Sequence, residues 1–186
     1  MKPQRVHITG ASGTGTTTLG RALASEWSIP HADVDDYFWE PTEPPYTTKR
    51  DPHTRLELMD AVFVGRKAWV LSGSLLGWGE ALIPNLDAVI FLTLEPTERL
   101  GRLKERERQR YGDRIDAGGD LEAATSEFLS WAAGYDDPNF LGRSLVFHED
   151  WLSKLPCPIL RLDSGRSISD SVAAILKWEP AEQHHL

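Results

Sequence analysis

The chain has 186 residues, a length that predicts one domain, with room for a lid but not for a second core. With 40% hydrophobic and 26% charged residues, its composition is typical of globular proteins and excludes a wholly disordered or fibrous chain. No apolar run approaches the roughly 18 residues that a membrane span needs. The net charge of −8 argues against binding to a nucleic-acid backbone.

The first residues and the single cysteine bear on the location of the protein. The start, Met1–Gly10, lacks the apolar segment of a signal peptide, and Cys157 has no second cysteine with which to form an internal disulfide. We therefore expect a cytoplasmic protein, a monomer or a homodimer. Its expected partner is a small molecule rather than a nucleic acid or a membrane.

Strand-like and helix-like apolar patterns alternate along the chain, which predicts an α/β fold: a five-stranded parallel sheet with helices on both faces. The expected strands are Val6–Thr9, Pro30–Asp35, Ala68–Ser72, Leu86–Leu94 and Cys157–Leu162. Helices are expected from the end of the first loop to about residue 27 and at about 52–66, 96–110, 120–135, 144–154 and 167–178. One domain over residues 1–178 would be followed by a frayed tail, 179–186. Residues 36–51, rich in proline and aromatic side chains, are expected to form a loop.

A glycine-rich segment, Gly10-Ala-Ser-Gly-Thr-Gly-Thr-Thr17, lies between the first strand and the first helix. It matches the phosphate-binding pattern G-x-x-x-x-G-K-[ST] except at the lysine, where Thr16 stands. Glycines let the backbone curl around a phosphate, and the helix N-terminus adds positive partial charge. The alternative is a plain structural turn. The residues expected to hold the phosphates are Gly10, Ala11, Ser12, Gly13, Thr14, Gly15, Thr16, Thr17 and Thr18, with the Thr17 hydroxyl also reaching Mg²⁺.

The absent lysine matters because its ammonium normally offsets charge on the terminal phosphates during phosphoryl transfer. Thr16 supplies a neutral hydrogen bond and no charge. Either another cation replaces the lysine, or transfer is weak or absent. A kinase is therefore one hypothesis, a nucleotide-binding sensor or regulatory protein is a second, and a plain ATPase is a third.

Basic residues are concentrated in the segment 99–114. Arg102, Arg106 and Arg110 recur every fourth residue and therefore share one stripe of the expected helix. This stripe predicts polyphosphate binding, and the alternative is a solvated face paired with neighbouring glutamates. The glycine-rich residues that follow predict a mobile lid at about 110–120.

The order of these features resembles the adenylate-kinase and shikimate-kinase group of P-loop kinases over essentially the whole chain. The resemblance lies in the phosphate loop, in "DAVIFLTLEPTERLGRLKERERQR" and in "CPILRLDSGRSI". The segments "RYGDRIDAGGD", "FLSWAAGYDD" and "HEDWLSKLPCPILRLD" resemble a bacterial subgroup of adenylate-kinase-like ATP-binding proteins. This resemblance implies a nucleoside-monophosphate-kinase-like P-loop NTPase fold with a short lid, using ATP and Mg²⁺.

The resemblance also implies roles for individual residues. Arg102 would stack on the nucleotide base, and Arg106 would contact the phosphates. Arg110 and Arg114 would belong to the lid and act on the transferring phosphoryl group. The loop Asp163–Ser167 would lie beside the adenine, with Gly165 and Arg166 as its binding residues.

The third strand ends in Ser-Gly-Ser, where nucleoside-monophosphate kinases of the group have Asp-Gly. Carboxylates after the second strand resemble the Asp-x-Asp of shikimate-type kinases. We expect Asp35 to orient Mg²⁺ or to act as the base toward an acceptor hydroxyl, and Asp33 to bind the acceptor. The alternative for both is a turn or cap residue.

Trp39 follows the second strand and Trp78 the third, so both are expected near the crevice at the carboxyl ends of the strands. There they would bind a flat acceptor, the alternative being hydrophobic packing beneath the loops. The sequence thus predicts a P-loop phosphotransferase that moves the ATP γ-phosphoryl group to a nucleoside monophosphate or to a metabolite hydroxyl.

Overall fold

The computed structural model describes residues 1–179 and contains a five-stranded parallel sheet in the order β2-β3-β1-β4-β5. The strands are β1 (Arg5–Gly10), β2 (His31–Asp33), β3 (Trp69–Ser72), β4 (Ala88–Thr93) and β5 (Ile159–Asp163). The prediction of five parallel strands is confirmed. The tail expected at 179–186 lies, from residue 180 onward, outside the described residues.

Helices fill the connections between the strands. Within residues 1–179 the α-helices are α1 (Thr16–Trp27), α2 (Val34–Phe38), α3 (Pro52–Met59), α4 (Pro96–Tyr111), α5 (Glu122–Ala133), α6 (Leu145–Ser153) and α7 (Ile168–Lys177). Helix α3 continues as a π-helical turn, Asp60–Val64, and short 3₁₀ turns occupy Glu80–Asn85, Gly112–Ile115 and Gly134–Asp136. None of the helices in this described part is both long and apolar enough to cross a bilayer.

The sheet is covered on both faces, as predicted. On one face, Val6 and Ile8 of β1 pack with Leu23 of α1 and Ile175 of α7. On the other face, side chains of β3 and β4 pack against α3 and α6, with Trp151 among them. Burial on both faces explains why β4 reads as a continuous apolar run rather than an alternating one. Because all five strands are parallel, their carboxyl ends point to one edge of the molecule.

Two expected loops are more ordered than their sequences indicate. The second strand stops at Asp33, because the Asp33 carboxylate accepts a hydrogen bond from the backbone N–H of Asp35 (3.1 Å) and begins α2. The expected lid contains the last turn of α4 and a 3₁₀ turn. Helix α5, expected from about residue 120, begins at Glu122, and Asp120 pairs with Arg114 at 2.7 Å.

Two histidines are completely buried beneath the phosphate loop. The Nδ1 of His7 donates to the carbonyl oxygen of Leu71 (3.1 Å). His148 contacts the hydroxyls of Tyr135 (2.8 Å) and Thr9 (3.4 Å). Burial lowers the pKa of His7 to about 4, and burial, together with the charge of Arg143, lowers the pKa of His148 to about 3. Both rings are therefore neutral in the folded protein near pH 7.

These lowered pKa values predict a loss of stability in mild acid. Below pH 6.5 the unfolded chain protonates both rings while the folded chain does not, so the free energy of unfolding falls as the pH falls from 6.5 toward 4. Each histidine adds up to about 1.4 kcal/mol per pH unit to the slope of the free energy of unfolding against pH. Urea unfolding between pH 6.5 and 5 should give a smaller slope for His148→Gln. The exposed His53→Gln is the matched control, and an equal loss of slope in that variant would contradict the prediction.

Candidate active site

A cavity of about 1250 Å³ opens at the carboxyl ends of the strands. Its walls are the phosphate loop, the end of β2 with α2, one face of α4 and the loop between β5 and α7. Ligands of open α/β sheets bind at this edge. The volume exceeds the roughly 300–1,000 Å³ of a pocket for one small ligand, so the cavity has room for two substrates.

The phosphate loop is held in a fixed curl by its own side chains. The buried Thr14 hydroxyl donates to the carbonyl oxygen of Ala11 at 2.8 Å, and the Thr14 N–H contacts the same oxygen at 3.2 Å. Gly13 and Gly15 have φ angles of +91° and +86°, which L side chains rarely adopt. A Cβ on Gly13 would also stand 2.6 Å from the carbonyl oxygen of Arg99. Glycine is therefore required at Gly13 by both backbone angle and space.

Helix α1 begins at Thr16 without a side-chain cap, because its N-cap residue is Gly15. The first backbone N–H groups of a helix have no acceptor within the helix. The first turn of α1 lines the cavity, so these N–H groups and the positive end of the helix dipole lie at the cavity wall. This arrangement suits the oxygen atoms of a phosphate.

Asp33, rather than Asp35, lies against Thr17. The Thr17 hydroxyl donates to the Oδ2 atom of Asp33 at 2.7 Å, and the Ser72 hydroxyl donates to the same atom at 3.4 Å. A carboxylate only accepts hydrogen bonds, so the hydroxyl proton of Thr17 is directed at Asp33. The lone pairs of the Thr17 hydroxyl oxygen are therefore free. The sequence assigned the metal to Thr17 and Asp35 and the acceptor to Asp33. The geometry favours the opposite assignment of the two carboxylates.

Within residues 1–179 there is no preformed cluster of three or more His, Cys, Asp or Glu side chains for a metal. Mg²⁺ does not need one, since it usually binds through one or two carboxylates together with substrate phosphates and water. One carboxylate and one hydroxyl beside an uncapped helix N-terminus are consistent with such a site.

Asp35 lines the cavity and stays accessible to its solvent. Partial desolvation by the cavity walls raises the pKa of Asp35, and the charge of Asp33 raises it further. Arg143, the Trp39 side chain and Arg106 act in the opposite direction. A carboxylate in a cleft with a raised pKa is suited to accept a proton.

The structure brings the predicted arginine stripe of α4 to the cavity. Arg102, Arg106 and Arg110 all line it. Arg102 donates to the carbonyl oxygen of Ser164 at 3.1 Å, Arg106 pairs with Glu107 at 2.8 Å, and the Arg110 guanidinium lies 5.1 Å from the Tyr46 ring. The stripe is thus oriented by neighbours but still faces the space beside the phosphate loop.

Two predicted binding residues lie outside the cavity lining. Arg114 pairs with Asp120 and does not line the cavity, because an exposed arginine takes the nearest carboxylate. Gly165 is held by a hydrogen bond from its N–H to Asp163 (2.9 Å), and its neighbours Ser164 and Arg166 line the cavity instead.

Sequence reasoning missed Arg143, which lies between α5 and α6. Its Nη2 atom donates to the Ser12 hydroxyl of the phosphate loop at 2.5 Å, and its Nε atom is buried with no hydrogen-bond partner. Its guanidinium lies 5.1 Å from the Trp131 ring and faces the cavity. Burial lowers the pKa of Arg143, while Asp35 raises it. Since 131 positions separate it from Ser12, no local sequence pattern identifies it.

Trp39 and Trp78 both line the cavity. Each packs against Phe38, at ring centroid distances of 4.9 and 5.7 Å. Residues 39–49 fold back as a hairpin, in which the Glu40 N–H donates to the carbonyl oxygen of Thr48 at 2.8 Å. The hairpin carries Tyr46 to the cavity, where its ring lies 5.1 Å from the Arg110 guanidinium of α4.

The sequence matches no protein-family model. Among solved structures, the chain is similar to a sugar kinase from Janibacter sp. HTCC2649, with 17% identity and a TM-score of 0.53 over 95% of this chain and 94% of that one. A shikimate kinase from Bacteroides thetaiotaomicron gives 18% identity and a TM-score of 0.53 over 94% and 96%. A shikimate kinase from Acinetobacter baumannii in complex with shikimate is 18% identical, with a TM-score of 0.51 over 95% of this chain and 92% of that one. The P-loop kinase fold expected from the sequence is confirmed.

One relative shares more of the sequence itself. The uncharacterized protein YqaC of Bacillus subtilis (strain 168) is 38% identical over 175 residues, which cover 94% of this chain and 97% of that protein. The aligned residues span nearly the full length of both chains. The chain therefore belongs to the same protein family as YqaC.

Proposed function

We propose that this protein is an ATP-dependent small-molecule kinase that transfers the γ-phosphoryl group of Mg·ATP to an acceptor bound beside Asp35. The observation that carries the proposal is the lining of one cavity by an uncapped phosphate loop, a half-buried arginine whose buried Nε atom has no partner, and a carboxylate with a raised pKa. The fold that the chain shares with sugar and shikimate kinases supports the same function.

The nucleotide lies along the phosphate loop and α4 in this proposal. Backbone N–H groups of residues 12–18 hold its phosphates, as the loop resemblance implies. Thr17 and Asp33 hold Mg²⁺, which supplies positive charge to the phosphate oxygens when it is bound. Arg106 contacts the phosphates, whereas Arg102 and Arg166 lie beside the base. The roles of Arg102, Arg106 and Arg166 follow from the resemblance to adenylate-kinase-like proteins, whereas the role of Asp33 follows from its contact with Thr17.

Arg143 supplies the charge that the absent lysine would provide. Its contact with Ser12 fixes one end of the guanidinium on the phosphate loop, and its buried Nε leaves a donor without a partner. A buried cation that forms no ion pair with a carboxylate is stabilised by an anion placed beside it. The terminal phosphate of ATP is such an anion.

Transfer then follows from the remaining groups. An acceptor oxygen attacks the γ-phosphorus, its proton passes to the Asp35 carboxylate, and the bond from the γ-phosphorus to the bridging oxygen breaks to release ADP. Arg106, Arg110 and Arg143 are arranged to stabilise the charge that spreads over the transferring group.

The first test is nucleotide binding measured by thermal unfolding. Millimolar Mg·ATP at a hundredfold excess over its dissociation constant stabilises a protein by about 2.7 kcal/mol, or about 5–10 °C for this length. Thr16→Glu should abolish the shift, because the new carboxylate fills the phosphate site. It should not lower the Tm without ATP, since an acidic residue suits the first turn of a helix. Thr54→Glu, in the first turn of α3, is the matched control. An unchanged shift in Thr16→Glu would contradict the site.

The metal assignment is tested through Asp33. Asp33→Asn should raise the Mg²⁺ concentration needed for the ATP-induced shift in Tm by about tenfold or more, because the carboxylate charge beside Thr17 is lost. Asp60→Asn on the exposed end of α3 is the control. If Asp33→Asn has no effect and Asp35→Asn raises the Mg²⁺ requirement, the original assignment from the sequence is the correct one.

The role of Arg143 is tested by nucleotide preference, which needs no acceptor. Arg143→Gln should reduce the ratio of ATP to ADP affinity by about tenfold, because the charge facing the third phosphate is lost. Thr16→Lys in the Arg143→Gln background should restore much of that ratio. Calorimetric titration with both nucleotides measures it, and Arg108→Gln, which removes an exposed arginine that pairs with Asp113, is the charge-matched control. Equal losses in Arg143→Gln and the control would contradict the role.

A further inference from the structure

Four aromatic rings form one wall at the acceptor end of the cavity. This aromatic wall consists of Phe38, Trp39, Tyr46 and Trp78, all of which line the cavity. Trp39 meets Phe38 at 4.9 Å and Tyr46 at 6.2 Å between ring centroids, both edge to face. Edge-to-face packing turns neighbouring rings in different directions, so the wall offers both ring faces and ring edges to a bound molecule.

The aromatic wall is held from behind. The Arg55 guanidinium lies 3.8 Å from the Phe38 ring centroid and 5.1 Å from that of Trp78, and the side chain is only 4% exposed. The Trp78 indole N–H donates to the carbonyl oxygen of Ser74 at 3.0 Å. A wall braced in this way is rigid before any ligand arrives, which favours recognition of a flat ring.

Arginines near the acceptor end are committed to protein groups. Arg50 donates to the carbonyl oxygen of Tyr37 at 2.6 Å and pairs with Glu40 at 3.3 Å. Arg55 donates to the carbonyl oxygen of Arg50 at 2.8 Å from behind the wall. Neither of these guanidiniums lines the cavity. Arg50 and Arg55 therefore offer no site for an acidic group. The cations that line the cavity near the aromatic wall are the exposed Lys49 of the hairpin and Arg110, which the proposed transfer step uses.

The same end of the cavity carries negative charge. Asp33, Asp35 and Asp36 occur within four positions at the end of β2 and all line the cavity. Since the proposed function assigns Asp33 to Mg²⁺, an acceptor bearing a phosphate or carboxylate would add like charge beside Asp35 and Asp36. Acceptors without such a group are favoured.

Polyhydroxylated sugars are disfavoured for a different reason. Apart from the three aspartates, this part of the cavity is lined mainly by the aromatic wall and by Pro44, Pro45 and Leu76, with Thr47 and Ser74 as neighbouring hydroxyl groups. A hexose would leave most of its hydroxyls facing these apolar groups, and buried polar groups without partners weaken binding. The surface fits a molecule with one flat ring and few hydroxyls.

We propose that the acceptor is an uncharged nucleoside, whose base packs on the aromatic wall and whose sugar hydroxyl reaches Asp35. This inference rests on the proposed kinase function. The hydroxyl oxygen forms the new bond to the γ-phosphorus of ATP, its proton goes to Asp35, and ADP leaves with the bridging oxygen. The products are a nucleoside monophosphate and ADP.

The experiment measures ADP release from Mg·ATP by the full-length protein with separate acceptors. The panel contains the common ribo- and deoxyribonucleosides, their monophosphates, shikimate and neutral hexoses. At least one nucleoside should give a kcat/KM at least tenfold above that of its own monophosphate. Trp39→Ala should raise the nucleoside KM about tenfold or more and leave the KM for ATP unchanged. Trp27→Leu on α1, away from the cavity, is the control.

The outcomes separate this inference from the function on which it rests. Turnover of a monophosphate, shikimate or a hexose with none on nucleosides overturns the acceptor class and leaves the kinase intact. ATP binding without transfer to any acceptor overturns the kinase. In that case calorimetry with nucleosides and a non-hydrolysable ATP analogue decides the site: binding that is lost in Trp39→Ala keeps the nucleoside class, and no binding removes it.

Discussion

The contact between the phosphate loop and α4 is the constraint on which the rest of the site depends. Gly13 approaches the Arg99 backbone so closely that no Cβ fits, and the buried Arg99 guanidinium reaches the carbonyl oxygens of Ser12 (3.3 Å) and Ala132 (3.0 Å) as well as Asp136 (2.7 Å). One side chain thus joins the loop to α4 and α5. Because Ser12 also receives Arg143, the same contact fixes the cation that faces the cavity. The contact between the phosphate loop and α4 therefore determines both the conformation of the loop and the position of the Arg143 charge beside it.

A phosphate loop without lysine changes where positive charge must come from. In this fold the candidate source is Arg143, which reaches the phosphate loop from the segment before α6. Placing a half-buried guanidinium without a carboxylate partner costs free energy, and the Ser12 hydroxyl, the Trp131 ring and the charge of Asp35 offset part of that cost. A bound anion would offset more of it, so the proposed nucleotide binding would be coupled to the ordering of Arg143.

Local patterns were enough to predict the sheet, the phosphate loop and the arginine stripe, because glycine spacing, apolar runs and helical periodicity depend on neighbours in sequence. Arg143 and the pairing of Thr17 with Asp33 depend on contacts between distant segments, so no spacing reveals them. The second strand was predicted to end two residues too late because the cap at Asp33 and the short helix after it leave no apolar periodicity. The pairing of Arg114 with Asp120 could not be predicted, because the partner of an exposed charge depends on which carboxylate the folded chain places nearest.

Under the proposed function, charge would orient both substrates in the cavity. Arg102, Arg106 and Arg143 line it together with the phosphate loop, whereas Asp35 and Asp36 line it from α2 beside the aromatic wall. A triphosphate placed in reverse would meet the like charge of Asp35 and Asp36 and lose its contacts with α1, so repulsion would reinforce attraction in setting its direction. The same repulsion would act on an anionic acceptor. Specificity for the proposed nucleoside would then arise from exclusion by charge together with packing on the aromatic rings.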